Sequence, residues 1–364
     1  MYGSTTVADC RRKLAQEWLL WQIFAGYYKT PTFSTSRLER TCIEYVVKTA
    51  LRNNVLYALV KILPPNVFSG IARERSDLIT LIIRRGEEME AMLYSGLRVL
   101  KDYLKGDYLV IKTVKNYPRI PDDIDVLVKD FNSNVKALKQ RGLRMEYYYP
   151  NDREAVFVGP GIMRVHLHGK MTWHNLDLLG DTFLWHNIRE IEIGDVQGVP
   201  VPSPSAEILT CLAHINFEQL YITIGDLLSV YTLSKGANWD KLSSETSRHH
   251  WHKTFLRTLA YFQDFHNYLY GEPLIKCPGL KIPVTKAKAG GLSVPIELNR
   301  RDMFQAFLEK RAFLPVLRRL KKAIKIVATG RTVESGKIPA ERELLKGVFP
   351  ERIGMLEEGT RRWR

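Results

Sequence analysis

Apolar residues recur every three or four positions in the first part of the chain. They do so in three segments, residues 8–24, 34–63 and 72–105. This spacing places the apolar side chains on one face of an amphipathic helix. The sequence therefore predicts a helical N-terminal region, in which Pro64 and Pro65 separate the second segment from the third.

Short apolar runs replace the helical period after Asp107. Runs that are typical of β-strands cover residues 108–112, 124–129, 144–149, 155–158 and 162–168. One predicted helix interrupts them at 132–141, with Asn132 or Ser133 as its N-cap. This alternation predicts an α/β unit, and with the flanking helical regions the predicted fold class is α+β.

Helical spacing returns after a loop-rich stretch around Asp177, Asp181 and Trp185. Ser203 and Pro204 form a typical helix start, a capping residue followed by proline at the first helical position. The predicted elements that follow are helices at 205–215, 218–233 and 240–270, a loop at 271–294 and a basic amphipathic helix at 301–327.

These patterns divide the chain into four predicted regions. They are an N-terminal helical region (1–105), a core of strands and helix (106–200), a helical region that packs on the core (201–270), and a basic C-terminal loop, amphipathic helix and tail (271–364). We find no internal repeat.

The composition is that of a folded protein, because 45% of the 364 residues are hydrophobic. The apolar runs are shorter than the roughly 18 residues of a membrane span. The N-terminus lacks a basic segment followed by an apolar one, so no signal peptide is expected. The four cysteines, Cys10, Cys42, Cys211 and Cys277, form no C-x-x-C pair and are expected to be reduced thiols. The sequence predicts a soluble cytoplasmic protein.

The formal net charge of +15 is concentrated near the C-terminus. Residues 300–364 contain 17 Lys and Arg against 8 Asp and Glu. Such a segment suits a polyanion, either RNA or DNA or an anionic membrane surface. The alternative is a helix that packs on the core with its basic side in solvent, which we favour over peripheral membrane contact.

Two carboxylates, Asp123 and Asp125, stand at the start of the second predicted strand. Residues two apart in an extended chain point to the same side. Two carboxylates side by side are unfavourable unless a cation lies between them, and oxygen ligands of this kind suit Mg²⁺. The alternative for Asp122 and Asp123 is an ordinary turn before a strand. Asp125 lies inside the strand, so that alternative does not explain it.

This element order and the Asp-x-Asp strand resemble the polymerase β-type nucleotidyltransferase superfamily. The segment from about residue 84 to 233 resembles the uncharacterised nucleotidyltransferase family in particular. The matching residues are Gly106 before the first strand, Arg119 before the Asp pair, His166 and His168 on a later strand, and His214 and Asp226 on a downstream helix pair. The resemblance implies a nucleotidyltransferase-type mixed sheet with flanking helical regions.

The resemblance also implies a chemistry. Asp123 and Asp125 would bind Mg²⁺ or Mn²⁺, and a nucleoside triphosphate would be the substrate. A nucleoside monophosphate would pass to a hydroxyl group of a small molecule, a protein or RNA. The residues expected to contact the nucleotide are Lys112, Thr113, Lys115 and Arg119.

Two positions depart from the family pattern. Lys112 and Thr113 replace a turn that normally contains glycine, which allows close approach of a triphosphate to the backbone. His166 stands where the family carries a third carboxylate, and imidazole is a poor ligand for Mg²⁺. Glu154 or Asp152 is an alternative source of that carboxylate.

Three hypotheses follow. The first is a metal-dependent nucleotidyltransferase with Asp123, Asp125 and His166 in the catalytic site. The second is a catalytically impaired nucleotidyltransferase-fold protein that binds nucleotide or nucleic acid through a basic surface. The third is a basic adaptor that uses the tail on a polyanion and needs no active site.

The histidines also allow a second interpretation, a zinc site. His166, His168, His174 and His186 suggest zinc, because His-x-His on a strand projects two imidazoles to one face. The lack of a nearby thiolate and the loose spacing disfavour that interpretation. The run from 248 to 252 is predicted to be a polar helix face, and the residues His214 and Asp226 are predicted to tie the helix pair together.

Overall fold

The computed structural model describes residues 7–32, 43–63, 76–104, 107–150, 153–173, 176–275, 280–283, 294–298, 305–306 and 308–310. Most of the predicted amphipathic helix and the whole of 311–364 lie outside the described residues, as do Asp152 and His174.

The N-terminal region is helical, as predicted. Its helices are α1 (Val7–Tyr27), α2 (Ile43–Arg52), α3 (Leu56–Ile62) and α4 (Ser76–Tyr103). The single segment predicted at 34–63 contains two helices, because the chain turns between them at Asn54, whose φ of 56° is left-handed. Helix α1 packs on α2 and α3, and α3 packs on α4. Side chains such as Leu19, Ile23 and Leu59 are fully buried there.

Five strands form the main sheet within the described residues. They are β1 (Tyr108–Ile111), β2 (Ile124–Val128), β3 (Arg144–Tyr149), β4 (Glu154–Val158) and β5 (Val165–His168), with α5 (Phe131–Gln140) between β2 and β3. The spatial order is β1-β2-β5-β4-β3, with β2 and β5 parallel and the other pairs antiparallel. The predicted α+β class and mixed sheet are confirmed.

The predicted cap of α5 is wrong by two or three residues. Asp130 is the N-cap, and its carboxylate accepts a hydrogen bond of 3.1 Å from the Ser133 backbone N–H. Aspartate is as good a cap as asparagine or serine, so three adjacent candidates compete for one helix start.

The strand register separates two faces of the sheet. One face, which we call the covered face, carries apolar residues that α4 and α5 bury: Ile124, Val126, Ala155, Phe157, Val165 and Leu167. Helix α4 approaches most closely at Gly96, where an added Cβ would lie 2.5 Å from the Ile124 side chain. The opposite face, the site face, carries Asp125, His166, His168 and Glu154, and on the edge strand Tyr147 and Tyr149.

The stretch interpreted as loop-rich contains regular structure, so that prediction is wrong. Its elements are β6 (Thr172–Trp173), β7 (Leu176–Asp177), α6 (Asp181–Trp185), β8 (Ile188–Ile193) and β9 (Val196–Pro202). Pro200 and Pro202 argue against a strand from sequence alone. They are tolerated because β8 and β9 form a separate two-stranded ribbon, in which every strand is an edge.

The last helical region is more broken than the periodicity predicts. It contains α7 (Pro204–His214), a π-helical turn (Ile215–Gln219), β10 (Tyr221–Ile222), α8 (Ile224–Ser234), α9 (Trp239–Arg248) and α10 (His252–Tyr270), and β11 (Ile296–Glu297) pairs with β10. The predicted cap at Ser203 is confirmed, because its hydroxyl accepts from the Ala206 N–H.

The predicted helices at 218–233 and 240–270 are wrong in extent. Thr223 starts α8 with a capping box, in which Thr223 and Asp226 bond to each other's backbone N–H groups. The polar face predicted at 248–252 is instead the junction of α9 and α10. It turns at His250, with φ of 56°, and buries Trp251, whose indole N–H donates to the Leu178 carbonyl.

Within the described residues, none of the helices combines the length and the apolar character that a membrane crossing requires. The division into four regions stays a prediction.

Candidate active site

Asp125 is the second residue of β2 and is held by the loop that follows β1. Its backbone N–H donates a hydrogen bond of 2.8 Å to the Thr113 hydroxyl, which in turn donates to the Ile111 carbonyl at 3.1 Å. Thr113 is only 3% exposed. Its observed contacts therefore join the end of β1 to the start of β2, and its predicted contact with phosphate stays a prediction.

Lys112 adopts the backbone conformation that normally favours glycine. Its φ is 59°, in the left-handed region, which costs an ordinary residue about 1–2 kcal/mol. The glycine-like turn geometry is thus kept although glycine is absent. The Lys112 ammonium also acts on the site, because its charge helps to lower the pKa values of Asp125 and Glu218.

Two imidazoles from β5 lie against Asp125. His166 is the register partner of Asp125 on the adjacent parallel strand, and His168 follows on the same face. The distance from Asp125 Oδ1 to His168 Nε2 is 2.9 Å, and that to His166 Nδ1 is 3.4 Å. The two imidazole rings are 4.0 Å apart between centroids. His166, where the resemblance implies a third carboxylate, therefore lies in direct contact with Asp125.

Glu154 closes the cluster from the other side of β5. It is the register partner of His168 on β4. Its carboxylate oxygens lie 3.6 Å from His168 Nδ1 and 3.8 Å from His166 Nε2. Each imidazole thus has one nitrogen toward Asp125 and the other toward Glu154. The sequence proposed Glu154 as an alternative carboxylate, and the fold brings it to the histidines.

The charged groups of this cluster shift one another's pKa values toward the charged forms. Burial lowers the His166 pKa, but its contacts with the carboxylates of Asp125 and Glu154 outweigh burial and raise that pKa to about 9. Burial likewise raises the Asp125 pKa, and the two histidines and Lys112 pull it well below its ordinary value. The contacts with His166 and His168 also lower the Glu154 pKa. Without a metal, a protonated His166 between two carboxylates therefore compensates their charge at neutral pH.

Glu218, which sequence reasoning did not identify, lies on the π-helical turn, and its charge interacts with those of Asp125 and Lys112. It pairs with His214 at 2.7 Å. Burial raises its pKa, but His214 and Lys112 lower it to about 2, while the charge of Asp125 acts in the opposite direction. A π-turn within a helical segment is often found at functional sites, but no sequence pattern signalled this one.

The group with metal-binding geometry is Asp125, His166 and His168. One ligand atom from each lies within 4.8 Å of the other two. Among the described residues, Asp123 is not part of that group, although its charge contributes to the raised pKa of His166. One carboxylate oxygen and two imidazole nitrogens suit Mn²⁺ or Zn²⁺ better than Mg²⁺. The metal role of Asp123 stays a prediction.

The remaining predicted nucleotide contacts lie in the loop between β1 and β2. The charge of Lys115 acts on the buried residues Glu207 and Cys211 rather than on Asp125. Arg119 is partly exposed in the same loop. Their contacts with a nucleotide remain predictions.

The contacts found for the other histidines that the structure describes lie outside the group of Asp125, His166 and His168. His186 bonds to the Thr182 carbonyl at 2.9 Å, and His249 contacts Glu245 at 3.2 Å. Asp226 accepts hydrogen bonds from Thr223 and Gln219 and contacts the Cys211 thiol, so it links α7 and the π-turn to the start of α8. His214 contacts Glu218, so of the predicted pair Asp226 makes the helix-tying contacts.

Comparison with known proteins identifies the central part of the chain. Residues 103–267 match a family model described as "Uncharacterised nucleotidyltransferase". This segment is similar to the proteins of that family. The match spans somewhat less than half of the 364 residues. It begins in the last turn of α4 and ends within α10, so it includes the whole main sheet. No curated protein and no solved structure matches the chain.

The resemblance stated from the Asp-x-Asp strand is therefore confirmed, and so is the nucleotidyltransferase-type α+β fold. Among the described residues, the group that could hold a metal consists of one aspartate and two histidines, with Glu154 behind them.

Proposed function

We propose that this chain is a metal-dependent nucleotidyltransferase that transfers a nucleoside monophosphate to a hydroxyl group of an acceptor. In that reaction the acceptor oxygen bonds to the α-phosphorus, the bond from that phosphorus to pyrophosphate breaks, and the hydroxyl loses its proton. The observation that carries the proposal is the convergence of Asp125, His166 and His168 within 4.8 Å in a segment that is similar to a nucleotidyltransferase family.

Asp125, His166 and His168 would hold the metal, with Asp123 beside them. A bound divalent ion would act as a Lewis acid toward the phosphate oxygens. The chain's own residues have separate roles. Thr113 fixes the backbone of Asp125, Glu154 orients the imidazoles as a carboxylate behind metal-binding histidines does, and Lys112 supplies positive charge to the phosphates. Because the donor set is rich in nitrogen, we expect Mn²⁺ or Zn²⁺ to support the reaction better than Mg²⁺.

A second candidate function is nucleotide binding without transfer. The observation that favours it is His166 itself, which lies 3.4 Å from Asp125 where the family carries a carboxylate. A protonated His166 would occupy the electrostatic role of the ion. The predicted contact of residues 300–364 with RNA or DNA would accompany either function.

The test is label transfer from each α-³²P-labelled nucleoside triphosphate to cellular RNA, protein and small-molecule fractions, with Mn²⁺, Zn²⁺, Mg²⁺ or EDTA. Asp125→Asn removes the charge at nearly constant size, and Asp102→Asn, at an exposed position on α4, is the matched control. We expect transfer by the wild type and the control, and a loss of at least about 100-fold in Asp125→Asn. Equal transfer by wild type and Asp125→Asn would exclude this site as the catalyst. Triphosphate binding by calorimetry without any transfer would select the second candidate.

A further inference from the structure

The edge strand β3 extends the site face with exposed aromatic side chains. Tyr147 and Tyr149 are each 51% exposed. Tyr147 pairs with Val156 and Tyr149 with Glu154 on β4. The partners of those two residues on β5 are His166 and His168. Since register partners point to the same face, both tyrosines share the face of the metal-binding group.

The two rings are arranged as a platform. Their planes are 6° from parallel and their centroids are 6.4 Å apart. Tyr148, between them, points to the covered face and stacks on Phe131 of α5. Tyr148 is itself 41% exposed, but only Tyr147 and Tyr149 share the site face and one orientation. Two large exposed aromatic rings in parallel are a surface on which planar ligands stack.

Positive and negative side chains both surround the platform, and a cation lies over the Tyr147 ring. The Arg164 guanidinium lies 5.6 Å from the centre of the Tyr147 ring. Arg164 and Arg144 both contact Glu146, at 3.3 Å and 3.5 Å. Glu154 lies on the side toward the site. Arg144 on β3 and Arg164 just before β5 thus lie beside Glu146 and Glu154, and in a chain of net charge +15 they are the cations that anionic phosphates of a ligand could contact.

The distance between the platform and Asp125 determines how long a ligand must be to contact both. Neighbouring strands lie about 4.8 Å apart, so the three steps from β2 to β3 put Tyr147 about 14 Å from Asp125. That span requires a ligand of several linked units. A strand of nucleic acid meets this requirement, because bases on the tyrosines would leave its end near Asp125.

We propose that Tyr147 and Tyr149 are a stacking platform for unpaired bases of a single-stranded nucleic acid, whose terminal hydroxyl is the acceptor. The second clause rests on the proposed function, and the platform itself does not. Aromatic side chains bind single strands of any sequence because every base has a π-face. An added peptide strand is the main competitor for an edge strand. It is disfavoured because a bulge between Met145 and Tyr147 breaks the regular ladder of β3.

The experiment measures binding of fluorescein-labelled single-stranded RNA and DNA 12-mers to the full chain by anisotropy, in EDTA and without nucleotide. The variants are Tyr147→Ala/Tyr149→Ala and Tyr147→Phe/Tyr149→Phe, with Tyr221→Ala as a matched control at another exposed tyrosine. We expect about tenfold weaker binding for each ring removed and unchanged binding for the phenylalanine pair and the control. The salt dependence of binding should keep its slope in the alanine pair, because the rings contact bases and not phosphates.

Several results would overturn the platform. They are the absence of measurable binding by the wild type, equal binding by the alanine pair in a folded state checked by circular dichroism, or equal loss in Tyr221→Ala. If the alanine pair weakens binding of a nucleoside triphosphate as strongly as that of the 12-mers, the rings hold the triphosphate base and the proposal is wrong. Because no metal or nucleotide is present in the main assay, a failure of the transferase proposal leaves its outcome unchanged.

Discussion

Leu167 and His168 are neighbours on β5, yet they belong to opposite faces of the sheet. Leu167 is fully buried on the covered face among apolar side chains from β2, β4 and the helices above. His168 is 6% exposed on the site face, where it contacts Asp125 and Glu154. Both residues are buried, but only one is buried for packing. Burial alone therefore does not separate core from site, whereas the chemistry of the neighbours does.

The buried side chains of the two faces are stabilised in different ways. The covered face removes apolar surface from water, which stabilises the fold without specific partners. The site face encloses Asp125, His166 and His168, whose charges must be compensated by one another or by a ligand. An arrangement that compensates itself through a protonated histidine is stable without a metal. The same arrangement offers nitrogen and oxygen ligands once that proton is lost.

The largest expected effect is on the covered face. Leu167→Ala should lower the free energy of unfolding by about 3 kcal/mol, because it removes buried methyl groups and leaves a cavity between β5 and the helices. Urea unfolding followed by circular dichroism measures it. At concentrations of urea where the variant is folded, metal binding should be unchanged. A loss below about 1 kcal/mol would mean that the covered face is not tightly packed at this strand.

The next effect is on the site face, one residue along the same strand. His168→Ala should weaken binding of Zn²⁺ or Mn²⁺ by about 100-fold, because it removes one of the three proposed ligands. Isothermal titration calorimetry at pH 7.5 measures the affinity. His186→Ala is the control, since His186 contacts only its own helix among the interactions described for it. Equal metal affinity in both variants would remove His168 from the ligand set.

Much of the fold follows from the sequence pattern. The strands of the main sheet and the Asp-x-Asp element were predictable, because each is a short apolar run in a segment bounded by turn residues. The ribbon of β8 and β9 was not, since Pro200 and Pro202 removed the usual strand signal. The break at His250 was also hidden, because the periodicity of 240–270 continues through it and only the burial of Trp251 explains the turn.

The candidate site was predictable in part for a similar reason. Asp125, His166 and His168 each lie on a strand, where a period of two tells which residues share a face. The contact between β2 and β5 is not contained in that period, because the parallel pairing joins strands that α5, β3 and β4 separate in the chain. Glu218 was missed, since its position depends on a π-turn and on how the helical region packs against the sheet.

A smaller effect concerns the protonation of His166 on the site face. In the metal-free protein, the His166 pKa should be about 9, against an ordinary value of 6.5. Because the folded-state pKa is raised, the stabilisation from His166 is fully present below about pH 6.5 and is lost as the pH rises through about 9. Histidine NMR titration measures the pKa directly, and unfolding at pH 6.5 and 9.5 measures its consequence.

Glu154→Gln tests the contribution of one of the two carboxylates that contact the protonated His166. It removes one negative charge beside His166 and should therefore lower the His166 pKa from about 9 toward its ordinary value. Glu192→Gln, on the separate ribbon, should leave the titration unchanged. A pKa near 6.5 in the wild type, or no change in Glu154→Gln, would contradict the charge arrangement described for the cluster.

The smallest expected effect tests how the loop after β1 holds Asp125 at the start of β2. Thr113→Val keeps the shape of the side chain and removes the hydroxyl that accepts from the Asp125 N–H at 2.8 Å. A buried N–H without a partner costs about 1–3 kcal/mol, so we expect a loss of stability near the lower limit, about 1 kcal/mol. Thr113→Ser, which keeps the hydroxyl, should lose less. If Asp125 depends on this bond for its position, Thr113→Val also weakens metal binding several-fold while Thr113→Ser does not. Loss of stability with unchanged metal affinity would show that β2, paired on both sides, holds Asp125 without the loop.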